Sequence, residues 1–440
     1  MSKRLVQDLD DLRLQLADLK IHIPIEEDLA VLGQSVAIGQ RRTPNALAVH
    51  PMEGADAERD GSPSELTFRR YRRFAAGGAG LLWTEAVAVV PEGRANPRQL
   101  YLHDENVDGF KQLVEEVKRT AWEACGHEPL LIAQLTHSGR YSKPSGQPAP
   151  MIAYHNEYLD QASKLDQVEY TLASDAYLDG LIEAFRHAAK LARDDGFDGV
   201  DIKCCHGYLF AELLSAYHRE GKYGGDYQGR TRLLREIVQK VHEDQGADFL
   251  VGVRLNLYDG LPQPWGWGAT TDGEIDFAEP ERLIKDLVQD GAAIFNATAG
   301  NPYYQPHINR PYTSGGYEPP EDRLVGIERL LHLSGKMQKA AGEIPVVGVG
   351  FSYLRAAAPY VAAAAVRDGS MRMAGFGRLS FANPNFAKDI LERGKLEPST
   401  VCTACSGCTK LMRAGQITGC IVRDPYYRDL YRSLVKQGLV

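Results

Sequence analysis

The sequence predicts a (β/α)8 barrel with a cysteine-rich C-terminal extension. Eight short apolar runs follow one another from about residue 44, and amphipathic helical patterns separate many of them, at 177–195, 229–245, 279–290 and 325–341. Strands that alternate with helices favour a parallel sheet, and eight repeats favour its closure into a barrel. A doubly wound open sheet is the alternative, but no G-x-G-x-x-G follows the first run, which weakens its dinucleotide-binding form.

The eight runs give the predicted strands in chain order. They are ALAVHP, GLLWTEAVAV, PLLIAQL, GVDIKC, FLVGVRL, AAIFNAT, PVVGVG and RMAGFG. Long loops follow the third and the sixth runs, and loops of such length are usually functional. At the carboxyl ends of barrel strands these loops would build and cover an active site.

We expect three segments: a helical extension at 1–35, the barrel at 36–395 and a cysteine-rich segment at 396–440. The first carries five leucines at intervals of four and three: Leu5, Leu9, Leu12, Leu16 and Leu19. This spacing places them on one face of a helix, while fewer than three heptads argue against an isolated coiled coil. The stripe therefore packs on the body of the protein or forms a subunit contact, and we expect a homo-oligomer.

Charge and hydropathy limit the function classes. The 440 residues are 44% hydrophobic and carry a formal net charge of −8, so nucleic acid or an anionic membrane is not expected as the main partner. No signal peptide and no membrane-spanning apolar run are found, which predicts a cytoplasmic protein with a small-molecule substrate. In that reducing compartment, clustered cysteines are more often metal ligands or redox groups than disulfides.

Several ordered motifs resemble the Old Yellow Enzyme group of FMN-dependent oxidoreductases. They are HPM, TEA, QLTHSGR, HGYLFAELLS, KYGGDYQGRTR, VRL and GFGRL, in that order between residues 44 and about 390. Each motif alone is weak, and their common order makes the match specific. The resemblance implies an oxidoreductase barrel with FMN at its mouth.

A flavin needs hydrogen bonds along its pyrimidine edge, a positive charge near N1 and O2, and a phosphate cradle. The resemblance assigns Gln134 to the pyrimidine edge and Arg254 to N1 and O2. Gly350, Gly377 and Arg378 follow the last two strands and would hold the phosphate, although such glycines also mark ordinary turns. The remaining FMN-binding candidates from the resemblance are Pro51, Met52, Glu53 and Ala86.

The resemblance also implies catalytic roles. Tyr208 matches the family's proton-donating tyrosine, and His206 matches the second member of the pair that binds the activating carbonyl. Lys203 stands where the family usually has the first, a histidine. Lysine can donate to a carbonyl but suits a carboxylate or phosphate better, and Lys203 could instead only pair with a carboxylate.

Glu53 is a second departure, because the family commonly has threonine or cysteine there, near the flavin O4 edge. An ionised carboxylate at this position would lower the flavin potential, whereas a protonated one would donate a hydrogen bond. Both states stay open.

The spacing of Cys402, Cys405, Cys408 and Cys420 resembles the cluster ligands of one branch of the family, the 2,4-dienoyl-CoA reductases and trimethylamine dehydrogenase. Three thiolates spaced by two residues can wrap three corners of a 4Fe–4S cluster while a distant cysteine closes the fourth. Zinc sites more often use two separate C-x2-C pairs. A 4Fe–4S cluster is therefore expected, with zinc or plain redox thiols as alternatives.

In that branch a nucleotide-binding half follows the cluster. Here 20 residues follow Cys420, which are too few for a Rossmann unit. The resemblance is therefore to a relative truncated after the cluster motif. Electrons would come from NAD(P)H at the barrel mouth, or pass to and from an electron-transfer protein through the cluster, or the cluster would be structural.

Three functions remain open from the sequence. The leading one is reduction of a carbon–carbon double bond conjugated to a carbonyl or acid group, by hydride from reduced FMN and a proton from Tyr208. The second is a dehydrogenase, of an amine or another reduced substrate, that passes electrons through the cluster. The third is a barrel that binds a ligand without turnover and uses its cysteines as a structural metal clip.

Overall fold

The computed structural model describes residues 5–440, so the first four residues of the predicted N-terminal extension lie outside the described part. Eight parallel strands close into a barrel in chain order, as predicted. They are β1 (Leu47–Val49), β2 (Leu81–Ala88), β3 (Leu130–Thr136), β4 (Gly199–Cys204), β5 (Leu250–Asn256), β6 (Ile294–Thr298), β7 (Val346–Gly348) and β8 (Met373–Phe376). Each strand lies within one of the eight apolar runs or within a residue of it.

Helices connect the strands and surround the barrel. The first eight are α1 (Leu9–Leu19), α2 (Glu65–Ala75), α3 (Val107–Cys125), α4 (Glu157–Ser163), α5 (Asp175–Asp194), α6 (Leu209–Leu214), α7 (Tyr227–Gln245) and α8 (Ala278–Gln289). The others are α9 (Pro306–Asn309), α10 (Arg323–Ala341), α11 (Ala358–Arg367), α12 (Arg378–Ala382), α13 (Phe386–Arg393), α14 (Gly407–Arg413) and α15 (Pro425–Lys436). The four helices predicted from amphipathic spacing correspond to α5, α7, α8 and α10.

Two apolar layers hold the barrel. A small cluster inside it is formed by Ile38, Ala48, Leu81, Trp83, Leu130, Ile132, Leu250, Ile294, Val347 and Met373. Ile38 comes from the antiparallel pair Ala37–Ile38 and Arg41–Arg42, which adds an apolar side chain to the strand residues. The alternate side chains of the strands pack outward against the helices in a second, larger cluster. The polar ends of the strands are thereby left to line a cavity.

Helix α1 packs on the body of the protein, one of the two predicted outcomes for its leucine stripe. Leu12 and Leu16 are buried in the larger cluster, and Leu5 and Leu19 pack against it. The Arg355 guanidinium donates to the backbone carbonyl of Val6 at 3.2 Å, which fixes the chain just before α1. Within residues 5–440, no helix combines the length and apolar character that crossing a membrane requires.

The cysteine-rich segment docks on loops that follow barrel strands. The backbone N–H of Thr418 donates to the carbonyl of Gly54, after β1, at 2.7 Å. On the other side, the N–H of Thr313, after β6, donates to the carbonyl of Ala404 at 3.0 Å. Asp424, at the start of α15, accepts two bonds from Arg69 at 2.9 and 3.0 Å. The cysteines are therefore held beside the barrel mouth.

Candidate active site

A cavity of about 1220 Å³, including its open mouth, lies at the carboxyl ends of the strands. Eight of the predicted cofactor-binding residues line it: Pro51, Met52, Glu53, Gln134, Arg254, Gly350, Gly377 and Arg378. The three predicted catalytic residues, Lys203, His206 and Tyr208, line the same cavity. Ala86 is the exception among the described residues: it lies in the wall of β2 beside Gln134, and its carbonyl accepts from Gln99 Nε2 at 3.1 Å.

Two arginines in the cavity have donor atoms without partners. Among the described residues, nothing accepts a hydrogen bond from the buried Nε of Arg254 or the buried Nη1 of Arg378. A buried cation without a partner is costly, so such atoms fit an anionic ligand. FMN offers two anionic groups, its phosphate and the N1–O2 edge of the reduced ring, and the two arginines match these in kind.

Gln134 is oriented by the barrel wall. Its side-chain amide donates a hydrogen bond from Nε2 to Asp201 Oδ2 at 2.6 Å, and its backbone N–H donates one to Thr84 Oγ1 at 3.1 Å. Burial raises the pKa of Asp201 to about 6, against the opposing effect of the Gln134 bond and the Arg254 charge. Since Nε2 is used in this way, Gln134 presents its amide in a fixed orientation at the cavity.

The cavity floor comes close to the backbone of β8. A Cβ on Gly377 would lie 3.0 Å from Met52 Sδ, so a larger residue at 377 would crowd the side chain that lines the cavity. Beside it, His50 Nε2 donates to the Gly348 carbonyl at 3.2 Å and Nδ1 accepts from Asn296 at 3.1 Å. Burial and the Arg254 charge lower the pKa of His50 to about 3, so this ring is neutral.

Lys203 and Glu53 form a loose ion pair inside the cavity. Lys203 Nζ lies 3.5 Å from Glu53 Oε1, and the other carboxylate oxygen, Oε2, is buried without a partner among the described residues. The same ammonium group lies 4.0 Å from the ring centroid of Tyr208, and the Lys203 side chain is only 3% exposed. A bond this long is near the outer limit for a hydrogen bond, so Lys203 remains able to take a better acceptor.

Burial shifts the pKa values of Tyr208 and His206 in opposite directions, and both side chains are neutral. Burial holds the pKa of Tyr208 well above its usual value, so its hydroxyl keeps its proton. Burial and the nearby charges of Arg254 and Lys203 hold the pKa of His206 well below its usual value, so its ring is neutral. The buried Nε2 of His206 has no partner among the described residues, which leaves it free for a ligand oxygen.

None of the four C-terminal cysteines forms a disulfide. Cys408 lines the cavity. Backbone N–H groups donate to two of the sulfurs, from Ala404 to Cys402 at 3.3 Å and from Arg423 to Cys420 at 3.4 Å, as sulfurs that bind a cluster often accept. Burial raises the pKa of Cys402 to about 12, against the Arg378 charge.

Across residues 5–440, no three or more His, Cys, Asp or Glu side chains converge as the ligands of one metal ion. A zinc ion needs four such ligands around one centre, whereas the thiolates of a cubane cluster surround a larger group and stand farther apart. Neither zinc nor a cluster is therefore shown at these cysteines, and the 4Fe–4S cluster stays a prediction from their spacing.

Sequence reasoning missed Arg310, and it did not decide whether Tyr303 shapes a pocket or packs on its neighbours. Arg310, in the long loop after β6, lines the cavity, and burial together with the Arg378 charge lowers its pKa to about 10. Its Nη1 donates to Ser406 Oγ at 3.4 Å, next to the cysteines. The length of this loop was the available signal, but length does not say which of its residues turn inward.

Comparison with known proteins adds the family. Residues 32–397 match the NADH:flavin oxidoreductase / NADH oxidase family. An NADPH dehydrogenase of Bacillus pumilus is 32% identical over 266 residues, which cover 58% of this chain and 69% of that protein.

Two solved structures share the fold. One, described as a complex of 2-naphthoyl-CoA reductase with 2-naphthoyl-CoA, superposes with a TM-score of 0.73 at 20% identity, over 92% of this chain and 58% of that one. Histamine dehydrogenase from Rhizobium sp. 4-9 superposes with a TM-score of 0.71 at 21% identity, over 91% and 53%. The chain thus spans little more than half the length of either structure.

Proposed function

Because the chain belongs to the NADH:flavin oxidoreductase / NADH oxidase family and is therefore a flavin-dependent oxidoreductase, we propose that it reduces a carbon–carbon double bond conjugated to a carbonyl or carboxyl group. One observation carries this proposal: the protonated Tyr208 hydroxyl shares a cavity with two groups that can hold a substrate oxygen, His206 and Lys203. Hydride addition to such a bond needs a proton donor and an activated oxygen in one place.

The cavity side chains would hold FMN by its charges. Arg254 would lie along the N1–O2 edge and Gln134 would bond the pyrimidine edge, while Arg378, Gly350 and Gly377 would hold the phosphate. The partnerless nitrogens of Arg254 and Arg378 support this arrangement. When bound and reduced, FMN supplies the hydride.

Tyr208 would then donate its proton to the carbon next to the activating group. His206 would donate a hydrogen bond to the substrate oxygen from its neutral ring. Lys203 would break its contact with Glu53 and donate a hydrogen bond to the same oxygen from its charged ammonium group. The 3.5 Å separation between Lys203 and Glu53 supports this exchange, since a weak pair is cheaply broken. A substrate with a carboxylate would gain most from Lys203.

We propose NAD(P)H or a protein partner as the electron source, and a 4Fe–4S cluster on Cys402, Cys405, Cys408 and Cys420. Purified anaerobically, the chain should carry about four iron atoms and as much acid-labile sulfide. Cys408→Ser should lose most of this iron, while Cys125→Ser, a control in α3, should keep it. Stoichiometric zinc, or iron that survives Cys408→Ser, would contradict the cluster assignment.

A second candidate is a dehydrogenase that sends electrons outward through the cluster. Its support is that Cys408 lines the same cavity as Tyr208, and that a solved structure of similar fold is a histamine dehydrogenase. An amine that bleaches the flavin without any nicotinamide would favour this candidate. Cytoplasmic location, the homo-oligomer and the segment boundaries remain predictions.

The test of the leading proposal is a single turnover. The FMN-loaded enzyme is reduced anaerobically and mixed with 2-cyclohexen-1-one, and flavin reoxidation is followed by absorbance. Tyr208→Phe should slow reoxidation by roughly 10²- to 10⁴-fold, as expected for loss of a general acid. Tyr223→Phe, at a buried tyrosine outside the cavity lining, serves as the control. Reoxidation of Tyr208→Phe at the wild-type rate would remove Tyr208 from the chemistry.

A further inference from the structure

The loop after β6 brings a second tyrosine to Tyr208. The hydroxyl of Tyr303 lies 3.3 Å from the hydroxyl of Tyr208, and either group can donate across this contact. The two rings are stacked at an interplanar angle of 26°, with centroids 6.3 Å apart. Both side chains line the active-site cavity.

Asn301 fixes the Tyr303 ring in this position. Its Oδ1 accepts from the Tyr303 backbone N–H at 2.9 Å, and its Nδ2 donates to the Tyr141 hydroxyl at 2.9 Å. Tyr141 in turn stacks on Tyr303, with centroids 3.9 Å apart at an angle of 19°. Asn301 thus holds both Tyr303, through its backbone, and Tyr141, through its hydroxyl, before any ligand arrives.

The same asparagine joins this loop to the turn that carries the catalytic pair. Gly207, between His206 and Tyr208, has φ +68°, and a Cβ there would lie 2.2 Å from Asn301 Nδ2. Only glycine suits this turn, since any side chain would clash with the amide and strain the backbone. The Tyr303 loop is therefore packed directly against the residue before Tyr208.

The two tyrosines differ in their access to water. Tyr208 is 2% exposed, whereas Tyr303 is 37% exposed at the surface of the loop. A buried hydroxyl that gives up its proton needs a route by which another proton reaches it. Of the two tyrosines, Tyr303 is the one that has both the hydroxyl contact with Tyr208 and an exposed part at the surface.

We propose that Tyr303 supplies a proton to Tyr208 as Tyr208 gives up its own to the substrate, an inference that rests on the proposed function above. The Tyr208 O–H bond breaks as its proton bonds to the substrate carbon, which balances the hydride added to the neighbouring carbon. The Tyr208 phenolate accepts a hydrogen bond from Tyr303 as it forms and then takes the Tyr303 proton. Tyr303 regains a proton from water, so the relay consumes no oxidant or reductant.

Tyr303 acts through Tyr208 and is a positioning residue in this scheme. Tyr303→Phe should slow the proton-dependent step roughly tenfold. Complete loss of a well-placed donor to a developing oxyanion costs roughly 10²- to 10³-fold, and the 3.3 Å contact is longer than a strong O–H···O bond. Tyr304→Phe is the matched control, since the Tyr304 ring packs edge-on against Tyr158.

The experiment compares two oxidants on the dithionite-reduced, FMN-loaded enzymes. Reoxidation by 2-cyclohexen-1-one needs a proton delivered to carbon, whereas reoxidation by dioxygen does not, so a general defect would slow both. Rates are measured by stopped flow in H2O and in D2O for wild type and for the Tyr303→Phe, Tyr304→Phe and Tyr208→Phe variants. The inference expects Tyr303→Phe to slow only the enone reaction and to change its solvent isotope effect, with Tyr304→Phe unchanged.

The other outcomes are distinct. If Tyr208→Phe is slow but Tyr303→Phe matches Tyr304→Phe with the enone, the relay is wrong and the proposed function stands. If Tyr303→Phe slows enone and dioxygen equally, its role is structural and the relay is wrong. If Tyr208→Phe is as fast as wild type, or wild type does not react with the enone, the proposed function fails and the relay with it.

Discussion

Two groups of charged side chains differ in how they are paired: one is held by helix α6, which begins just after Tyr208, and the other lines the cavity that Tyr208 also lines. In the first, Arg140 donates from Nε to Glu212 in α6, from Nη1 to Asp160 at 2.6 Å, and from Nη2 to the Tyr154 carbonyl at 3.2 Å. Every guanidinium nitrogen of this buried arginine has an acceptor. The group is complete without a ligand.

The second group lines the cavity and is incomplete. Arg254 and Arg378 each leave a buried nitrogen without an acceptor among the described residues, and Lys203 reaches a carboxylate only at 3.5 Å. Burying charges in this way lowers the stability of the ligand-free fold. The difference is what the proposed function expects: paired charges hold the scaffold of Tyr208, and the unpaired charges are the ones proposed to bind an anionic cofactor and substrate.

The largest expected effect is on the free energy of unfolding, when the paired group around Arg140 is broken. Arg140→Met leaves Glu212 buried without its cation, and we expect the free energy of unfolding to fall by about 3–5 kcal/mol. Urea titration followed by circular dichroism measures the change. Arg119→Met, at a 64% exposed side chain with distant carboxylates, is the control and should cost less than about 1 kcal/mol. Equal losses in the two variants would mean that pairing at Arg140 contributes nothing special.

A second prediction concerns the pH dependence of the free energy of unfolding, which His137, the residue after β3, should influence. Burial lowers the pKa of His137 to about 3, while an unfolded histidine titrates near 6.5. Between these values the unfolded chain binds a proton that the folded chain does not, so stability falls as pH falls from about 6.5.

Replacing this histidine by glutamine should therefore reduce the slope of unfolding free energy between pH 6 and pH 4 by about 1.4 kcal/mol per pH unit. Urea titrations at four pH values measure it, with His187→Gln, at an exposed ring, as the control. An unchanged slope in His137→Gln would mean that His137 is protonated in the folded state.

In the unpaired group, substitution of Arg254 should affect the stability of the apoprotein in the opposite way to substitution of Arg140. Arg254→Met should leave the apoprotein as stable as wild type or more stable, because it removes a buried charge that lacks a partner. The free energy of FMN binding should weaken by about 1.5–3 kcal/mol, which is a roughly 10- to 150-fold loss of affinity. Flavin fluorescence titration and urea unfolding of the apoprotein measure the two effects. Destabilised apoprotein with unchanged FMN affinity would reverse the interpretation of this residue.

The smallest expected effect is on the preference between an acid and a ketone substrate. Lys203→Met should lower kcat/KM for an unsaturated acid such as trans-cinnamate roughly tenfold more than for 2-cyclohexen-1-one, since a charged donor favours a carboxylate. Steady-state rates with both compounds measure the ratio, and Lys222→Met, at the surface, is the control. An equal loss with both compounds would restrict Lys203 to packing on the Tyr208 ring.

The fold followed from the sequence because strand and helix periodicities are local. The run GVDIKC, for example, coincides with β4 (Gly199–Cys204), and it contains Lys203, which lines the cavity. The ion pair of Lys203 with Glu53 joins residues 150 positions apart, and the contact of Tyr208 with Tyr303 joins residues 95 positions apart. Such contacts depend on how loops fold over the barrel, which no local pattern records.

The central claim is that the unpaired cavity charges hold FMN beside a protonated Tyr208 and a conjugated substrate. An anaerobic absorption spectrum tests it most directly, recorded for the purified chain, then after NADPH or dithionite, then after 2-cyclohexen-1-one. We expect flavin bands that bleach on reduction and return when the enone is added. Flavin bands that stay bleached with the enone and return only with an artificial electron acceptor would contradict it.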